Sequence, residues 1–244
     1  MPADQPDLSA DAPPDLPAAV LWDLDGTLVD TEPSWMAAEY ALADRHGATW
    51  THADALTLVG NDLRTSGRLL VEGMGLSVSV DEVVDELVAA VVASIERELV
   101  VRPGARELLT ALHDAGVPCG LVTMSYAPIA RSVVTALGAD LFAAVVTGDS
   151  VRHGKPHPEP YLTAAAMLGL DPADCTAIED SPPGAASAHA AGCQVVVVPN
   201  MVEVIAQPGW TVMDTLAGIS VHDLPARQPQ RTAERQSERK VEVE

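Results

Sequence analysis

The chain has 244 residues, 48% of them hydrophobic, which is enough for a substantial core, and a formal net charge of −21. That acidity argues against nucleic acid and anionic membrane surfaces as partners, and no apolar run approaches the roughly 18 residues that a membrane span needs. Three scattered cysteines, Cys119, Cys175 and Cys193, lack the spacing of a zinc site or a disulfide framework; with no basic leader at the start, they read as small buried hydrophobes of a cytoplasmic protein.

Residues 1–17 mix Pro, Asp and Ala without apolar periodicity, and residues 226–244 are almost wholly polar and charged, so both ends read as disordered tails. Between them, AAVLW (18–22) is a short continuous apolar run, suited to a strand covered on both faces. It ends in Asp23, Asp25, Gly26 and Thr27. Three helical patterns follow Pro33, over 34–46, 63–73 and 81–99. The last has Asp81 as a candidate N-cap and an apolar face of Val83, Val84, Leu87, Val88, Val91, Val92 and Ile95.

From Pro103 the texture alternates. Helices over 104–115, 127–137, 158–168 and 182–191 precede the apolar runs VPCGLVTM, AAVVTGD, CTAIED and CQVVVVPN, and WTVMDTLAGI supplies a last strand and a short helix. Such alternation predicts an α/β protein with a doubly wound parallel sheet. The core is discontinuous, 18–32 plus 100–225, and residues 33–99 form a helical insert after the first strand. An insert leaving a strand's carboxyl end sits over the ligand crevice of an open sheet, which makes it a candidate lid.

The predicted strands finish in chemistry: Asp23 and Asp25, then Thr123, then the loop carrying Lys155, then Glu179 and Asp180. Lys155 is the only lysine ahead of the C-terminal tail. Four carboxylates converging on one sheet edge are costly unless paired or bound to metal, and an oxygen-rich cluster suits a hard divalent cation such as Mg2+.

DLDGT (23–27), the strand-end Thr123, Lys155 in GKPHPEPY and the acidic pair of IEDSPPG stand in the order and rough spacing of four motifs of the haloacid dehalogenase-like superfamily. The chain resembles the branch with a helical cap after the first motif, over about residues 18–199. The resemblance implies a Rossmann-like core with a helical cap and a phosphatase of small phosphorylated metabolites, working through an aspartyl phosphate with Mg2+. Asp23 would be the nucleophile and Asp25 the general acid and then base. Mg2+ would be held by Asp23, the Asp25 main-chain carbonyl and Asp180, with Glu179 reaching it through water. Thr123 and Lys155 would bind the phosphoryl oxygens, and Gly26 would let strand-end amides face them.

Several residues carry two readings. Asp30 and Glu32 read as helix-entry residues before Pro33 rather than metal ligands. His153 and His157 read as loop residues, with His157 a candidate for the cleft entrance, and Asp149 as a support of the Lys155 loop. Arg64 and Arg68, one turn apart, could contact an anionic substrate or pair with cap acids such as Glu72. Trp35, Tyr40 and Trp50 hint at an aromatic pocket.

Within the family, Thr27 and Trp35 favour a phosphatase over a β-phosphoglucomutase, in which an aliphatic residue and a cap histidine are more usual at those positions. Met124 replaces a small polar residue and would act through its backbone amide. A catalytically idle fold used for binding is the alternative of another class. A monomer is the default expectation.

Overall fold

The computed structural model describes residues 16–225, so the two predicted tails lie outside the described residues except for Leu16 and Pro17. Leu16, placed in the leading tail by its composition, is buried against the main core.

β1 (Ala19–Trp22), β2 (Cys119–Val122), β3 (Ala144–Val146), β4 (Cys175–Glu179), β5 (Gln194–Val197) and β6 (Trp210–Val212) form one sheet in the order β3-β2-β1-β4-β5-β6. Every pairing is parallel, with Trp22 opposite Leu121 on one side and Ile178 on the other. The chain builds outward from β1 through β2 to β3, then returns to β4 and builds the other way. The carboxyl ends of β1, β2 and β4 therefore lie side by side at the switch point, where open α/β sheets bind ligands.

The alternation of side chains across the strands explains why β1 is apolar throughout. Val20 and Trp22 face one core with Leu108, Leu109, Ile129 and Val133 of α5 (Ala105–Asp114) and α6 (Ala127–Leu137). Ala19 and Leu21 face the other, with Tyr161, Ala164 and Ala185 of α7 (Glu159–Leu168) and α8 (Pro182–Ala191).

The segment after β1 is helical: α1 (Glu32–His46), α2 (His52–Leu56), α3 (Leu63–Met74) and α4 (Val80–Arg97). α4 packs on α1, α3 and α6 with Val83, Val84, Leu87, Val88, Val91 and Ile95 buried. Its N-cap is Ser79, not Asp81, because Ser79 and Glu82 exchange side-chain and backbone bonds in a reciprocal capping box. α2 has no counterpart in the sequence reading; one turn is too short for a periodic signal, and the Thr51–Asp54 capping box starts it.

The short helix expected after β6 is absent from 214–219. Thr215 Oγ1 takes the Ala217 N–H, and Gly218 turns the chain with φ +80°, leaving a single 3-10 turn at Val221–Asp223. All three cysteines are free and buried, and burial pushes each thiol up to about 12. Among the described residues no helix is long and apolar enough to cross a membrane.

Candidate active site

β1 delivers Asp23 to the switch point, where its N–H donates to Ile178 O and its side chain is almost covered. Lys155, on the loop between β3 and α7, reaches in from the other side. Its buried Nζ lies 2.6 Å from Asp23 Oδ1, 2.6 Å from Glu179 Oε1 and 2.8 Å from Val122 O. Burial opposes the ammonium charge, yet Asp23 and Glu179 more than offset that, holding the group above the ordinary lysine range. Met124, expected to act through its backbone amide, steadies this loop with its side chain: Sδ accepts the Lys155 N–H at 3.2 Å.

Glu179 is fully buried beneath the site. Its Oε1 accepts from Tyr161 Oη at 2.5 Å as well as from Lys155, and its Oε2 from Ser181 Oγ at 3.3 Å. Sequence reasoning missed Tyr161, whose only signal is an aromatic in an otherwise small-residue helix. Asp180 lies against Gly26, where a β-carbon would come within 2.1 Å of Asp180 Oδ2; with φ +83°, this position requires glycine.

Asp23, Glu179 and Asp180 bring one carboxylate oxygen each within 4.8 Å of the others. Burial first, then Glu179, pushes Asp23 up to about 7 despite Lys155, and burial followed by Asp23 and Glu179 pushes Asp180 well above the carboxylate range. Asp23 Oδ2 is buried with no hydrogen-bond partner. A crowded, hard-oxygen cluster with one lysine and an orphaned carboxylate oxygen fits a divalent cation of the Mg2+ type.

Asp25 is held from both sides. Its Oδ1 accepts from Thr31 Oγ1 at 2.5 Å and Trp35 Nε1 at 3.1 Å, and its Oδ2 from Thr123 Oγ1 at 3.1 Å and Ser125 Oγ at 2.7 Å. Two of these donors come from the approach to α1 and its first turn, and two from the end of β2. Thr123, expected to face a phosphoryl group, is fully buried, with its hydroxyl engaged by Asp25 and the Ser125 N–H. Ser125, missed in the sequence, faces the cleft instead.

The cleft is open and is lined from the sheet side by Asp23, Asp25, Met124, Ser125, Lys155 and Asp180. The opposite wall comes from the segment after β1 and includes Glu32, Trp35, Met36 and Glu39 of α1, Asn61 ahead of α3, and Ser66 within α3. Glu32, read as a helix-entry residue, does begin α1, but it is also buried and lines the cleft.

Two residues expected at the cleft lie off it: Thr27 is buried and does not line the cleft, and Gly26 faces Asp180 rather than the open space. Of the two readings of Arg64, the pairing with a cap acid is the one observed, with Asp81 at 2.9 Å at the surface rather than Glu72, because α4 begins beside it; Arg68 donates to Thr65. Asp149 accepts from Ala127 N–H at the start of α6, and His153 pairs with Glu159 at 2.8 Å, with neither His153 nor His157 on the cleft wall.

Glu32 and Glu39 are the least expected members. Burial, then Asp25 and other acids, raises Glu32 to about 8; burial raises Glu39 to about 7, against the pull of Trp50 Nε1, which donates to Glu39 Oε2 at 2.9 Å. A carboxyl raised in the fold stabilises it at low pH and loses that advantage as pH climbs from its unfolded value to the folded one. Glu39 therefore costs up to about 3 kcal/mol above pH 7. The Glu39→Gln variant, which keeps an acceptor for Trp50, is expected to melt several degrees higher than the parent at pH 8 and close to it at pH 4, by calorimetry. An equal gain at both pH values would contradict this assignment.

Comparison with known proteins places this geometry. The sequence profile of haloacid dehalogenase-like hydrolases matches residues 17–192. Hexitol phosphatase A of Escherichia coli is 36% identical over 179 residues, 73% of this chain and 81% of that protein. Validoxylamine A 7'-phosphate phosphatase of Streptomyces hygroscopicus is 35% identical over 173 residues, 70% and 81% of the two chains. The crystal structure of CbbY from Rhodobacter sphaeroides with phosphate superposes with a TM-score of 0.76 at 23% identity, covering 84% of this chain and 98% of that one.

Proposed function

The chain belongs to the haloacid dehalogenase-like hydrolases, as a phosphoric monoester hydrolase, and from that membership we propose that it is a Mg2+-dependent phosphatase of small phosphorylated metabolites, acting through an aspartyl phosphate. The observation that carries the reading is Asp23, buried at the cleft floor with one oxygen on Lys155 and the other without a partner.

Asp23 attacks phosphorus, the bond from phosphorus to the ester oxygen breaks, and the departing alcohol takes a proton from Asp25. Asp25 then takes a proton from water as that water attacks the phosphoryl group, releasing phosphate and restoring Asp23. The hydroxyls of Thr123 and Ser125 can donate or accept, so they can hold Asp25 in both protonation states. Lys155 neutralises charge on the transferring group while its bond to Glu179, fixed in turn by Tyr161, holds it in place.

Asp23 and Asp180, with the Asp25 carbonyl, would hold Mg2+. The Glu179 oxygens are already engaged by Lys155, Tyr161 and Ser181, which supports an outer role for it. A bound Mg2+ would neutralise the acidic cluster and polarise phosphoryl oxygens. The helical insert of 33–99 acts as the lid, its α1 tied to the site through Trp35 and Asp25.

Phosphate release from a panel of phosphorylated metabolites and an aryl phosphate is expected to require Mg2+ and to stop on chelation. Undiminished release after chelation would rule out the metal, and no release from any ester would favour a binding protein.

A further inference from the structure

We propose that His153, His157 and Glu159 form a second metal site, separate from the carboxylates of the cleft, which takes a transition-metal ion of the Zn2+ class and braces the loop that carries Lys155.

The three residues fall within the segment 153–159, on the loop between β3 and α7 and at the first position of α7. One nitrogen of each ring and one Glu159 oxygen all lie within 4.8 Å of one another. His153 Nδ1 is 2.8 Å and His157 Nδ1 4.0 Å from the same atom, Glu159 Oε2. Zinc bonds of about 2.0–2.2 Å at a tetrahedral angle place neighbouring donors about 3.4 Å apart. One gap therefore has to open by about half an ångström and the other to close by about as much. Both imidazoles are exposed, so small side-chain rotations supply that movement. The rings already lie side by side, with centroids 4.6 Å apart and 35° between their planes.

The carboxylate is aimed before any ion arrives. Glu159 Oε1 accepts the Arg152 N–H at 2.8 Å, and Oε2 the His153 N–H at 3.1 Å. His157 Nδ1 accepts the Glu159 N–H at 3.2 Å, an exposed donor that water takes over when the ring binds an ion. A surface ion pair needs one imidazole; two at one oxygen repel if both are protonated, whereas a shared metal ion uses both lone pairs.

The donor set separates this site from the cleft. Two imidazoles and a carboxylate suit Zn2+, while the all-oxygen cluster of Asp23, Glu179 and Asp180 suits Mg2+. None of the three residues lines the cleft, so an ion here acts through the chain and not on a substrate. Lys155 lies between the two histidines, and joining 153 to 157 and 159 closes the backbone around it into a short ring, which restricts the loop.

The test titrates the full chain with Zn2+ in excess Mg2+ at about pH 7.5, where imidazoles are mostly neutral. Calorimetry is expected to show a Zn2+ site that His157→Ala and Glu159→Gln each weaken by at least about tenfold. Glu159→Gln keeps an acceptor for the backbone N–H groups, and His157 is exposed, so both variants should fold. Cu2+ bound to the parent is expected to give an electron paramagnetic resonance signal split by two imidazole nitrogens, and by one in His157→Ala; the carboxylates of the cleft give no such splitting. Zn2+ should also slow hydrogen exchange over 153–159 in the parent by about tenfold, and leave it unchanged in a His153→Ala, His157→Ala double variant. Zn2+ affinity unaltered in both single variants, or a Cu2+ signal without nitrogen splitting, would overturn the site. Exchange unaltered by Zn2+ in the parent would overturn the bracing of the loop.

Discussion

Asp23→Asn is expected to lower kcat for phosphate release by at least about 10^4-fold while leaving the fold intact, because it replaces the attacking carboxylate with an amide that has no nucleophilic oxygen to offer phosphorus. The substitution keeps an acceptor for Lys155 Nζ, which also retains Glu179 and Val122 O, so the lysine loses its position only slightly. Stability should move the opposite way from activity. Asp23 is raised to about 7 by burial and by Glu179, so its charged form works against folding increasingly as pH rises through that range. In chelator, the variant is therefore expected to melt no lower than the parent at pH 8. The decisive readout is acid-quenched enzyme after mixing with phosphorus-labelled substrate: label stays on the parent and not on the variant. Activity surviving within tenfold would mean that water attacks phosphorus directly, and the covalent reading would fall.

Much of this centre can be read along the chain because topology does the gathering. A doubly wound sheet places the ends of successive parallel strands at one edge, so Asp23, Thr123 and Asp180 can be brought together from their positions after apolar runs. The strands themselves are legible because both faces of β1 and β4 are covered, which leaves β1 a continuous apolar run and β4 one broken only by Thr176 before it ends in Glu179. What depends on packing between distant segments is not legible. Ser125 meets Asp25 across 100 residues with no local pattern to announce it, and Tyr161, which meets Glu179 from a neighbouring helix, stands out only as a lone aromatic.

The helical wall illustrates the same limit in a different way. Arg64 and Trp35 both stand in helical segments near the first motif, yet α4 draws Arg64 to Asp81 while α1 turns Trp35 onto Asp25. Composition offers the cation to the cleft; the packing of four helices puts the indole on its wall instead. Glu39 did leave a trace, since it falls seven residues after Glu32 on one face of α1, where an acid among Met36, Leu42 and Ala43 interrupts a buried surface.

Lys155→Met tests how the acidic cluster is held. The ammonium is the only cation within bonding distance of Asp23 and Glu179 among the described residues, and its side chain is 4% exposed, so solvent cannot replace it. Removing one partner from a buried ionic cluster costs about 3–5 kcal/mol, which for a domain of this size lowers the melting temperature by roughly 10 °C. The sign of the pH dependence distinguishes this from simple loss of packing. Without the lysine, burial and mutual repulsion push Asp23 and Asp180 higher still, so the penalty belongs to their charged forms and fades as they take up protons. The gap between parent and variant in chelator is expected to be widest near pH 8 and to narrow towards pH 5, whereas a packing defect would give the same gap at both. Phosphate release should fall by on the order of 10^3-fold, since the charge that steadies the transferring group is gone. Added Mg2+ should recover part of the lost stability but little of the activity, because a cation among the carboxylates relieves their repulsion without restoring the ammonium beside Asp23. Recovery of full activity with Mg2+ would show that Lys155 serves only to balance charge.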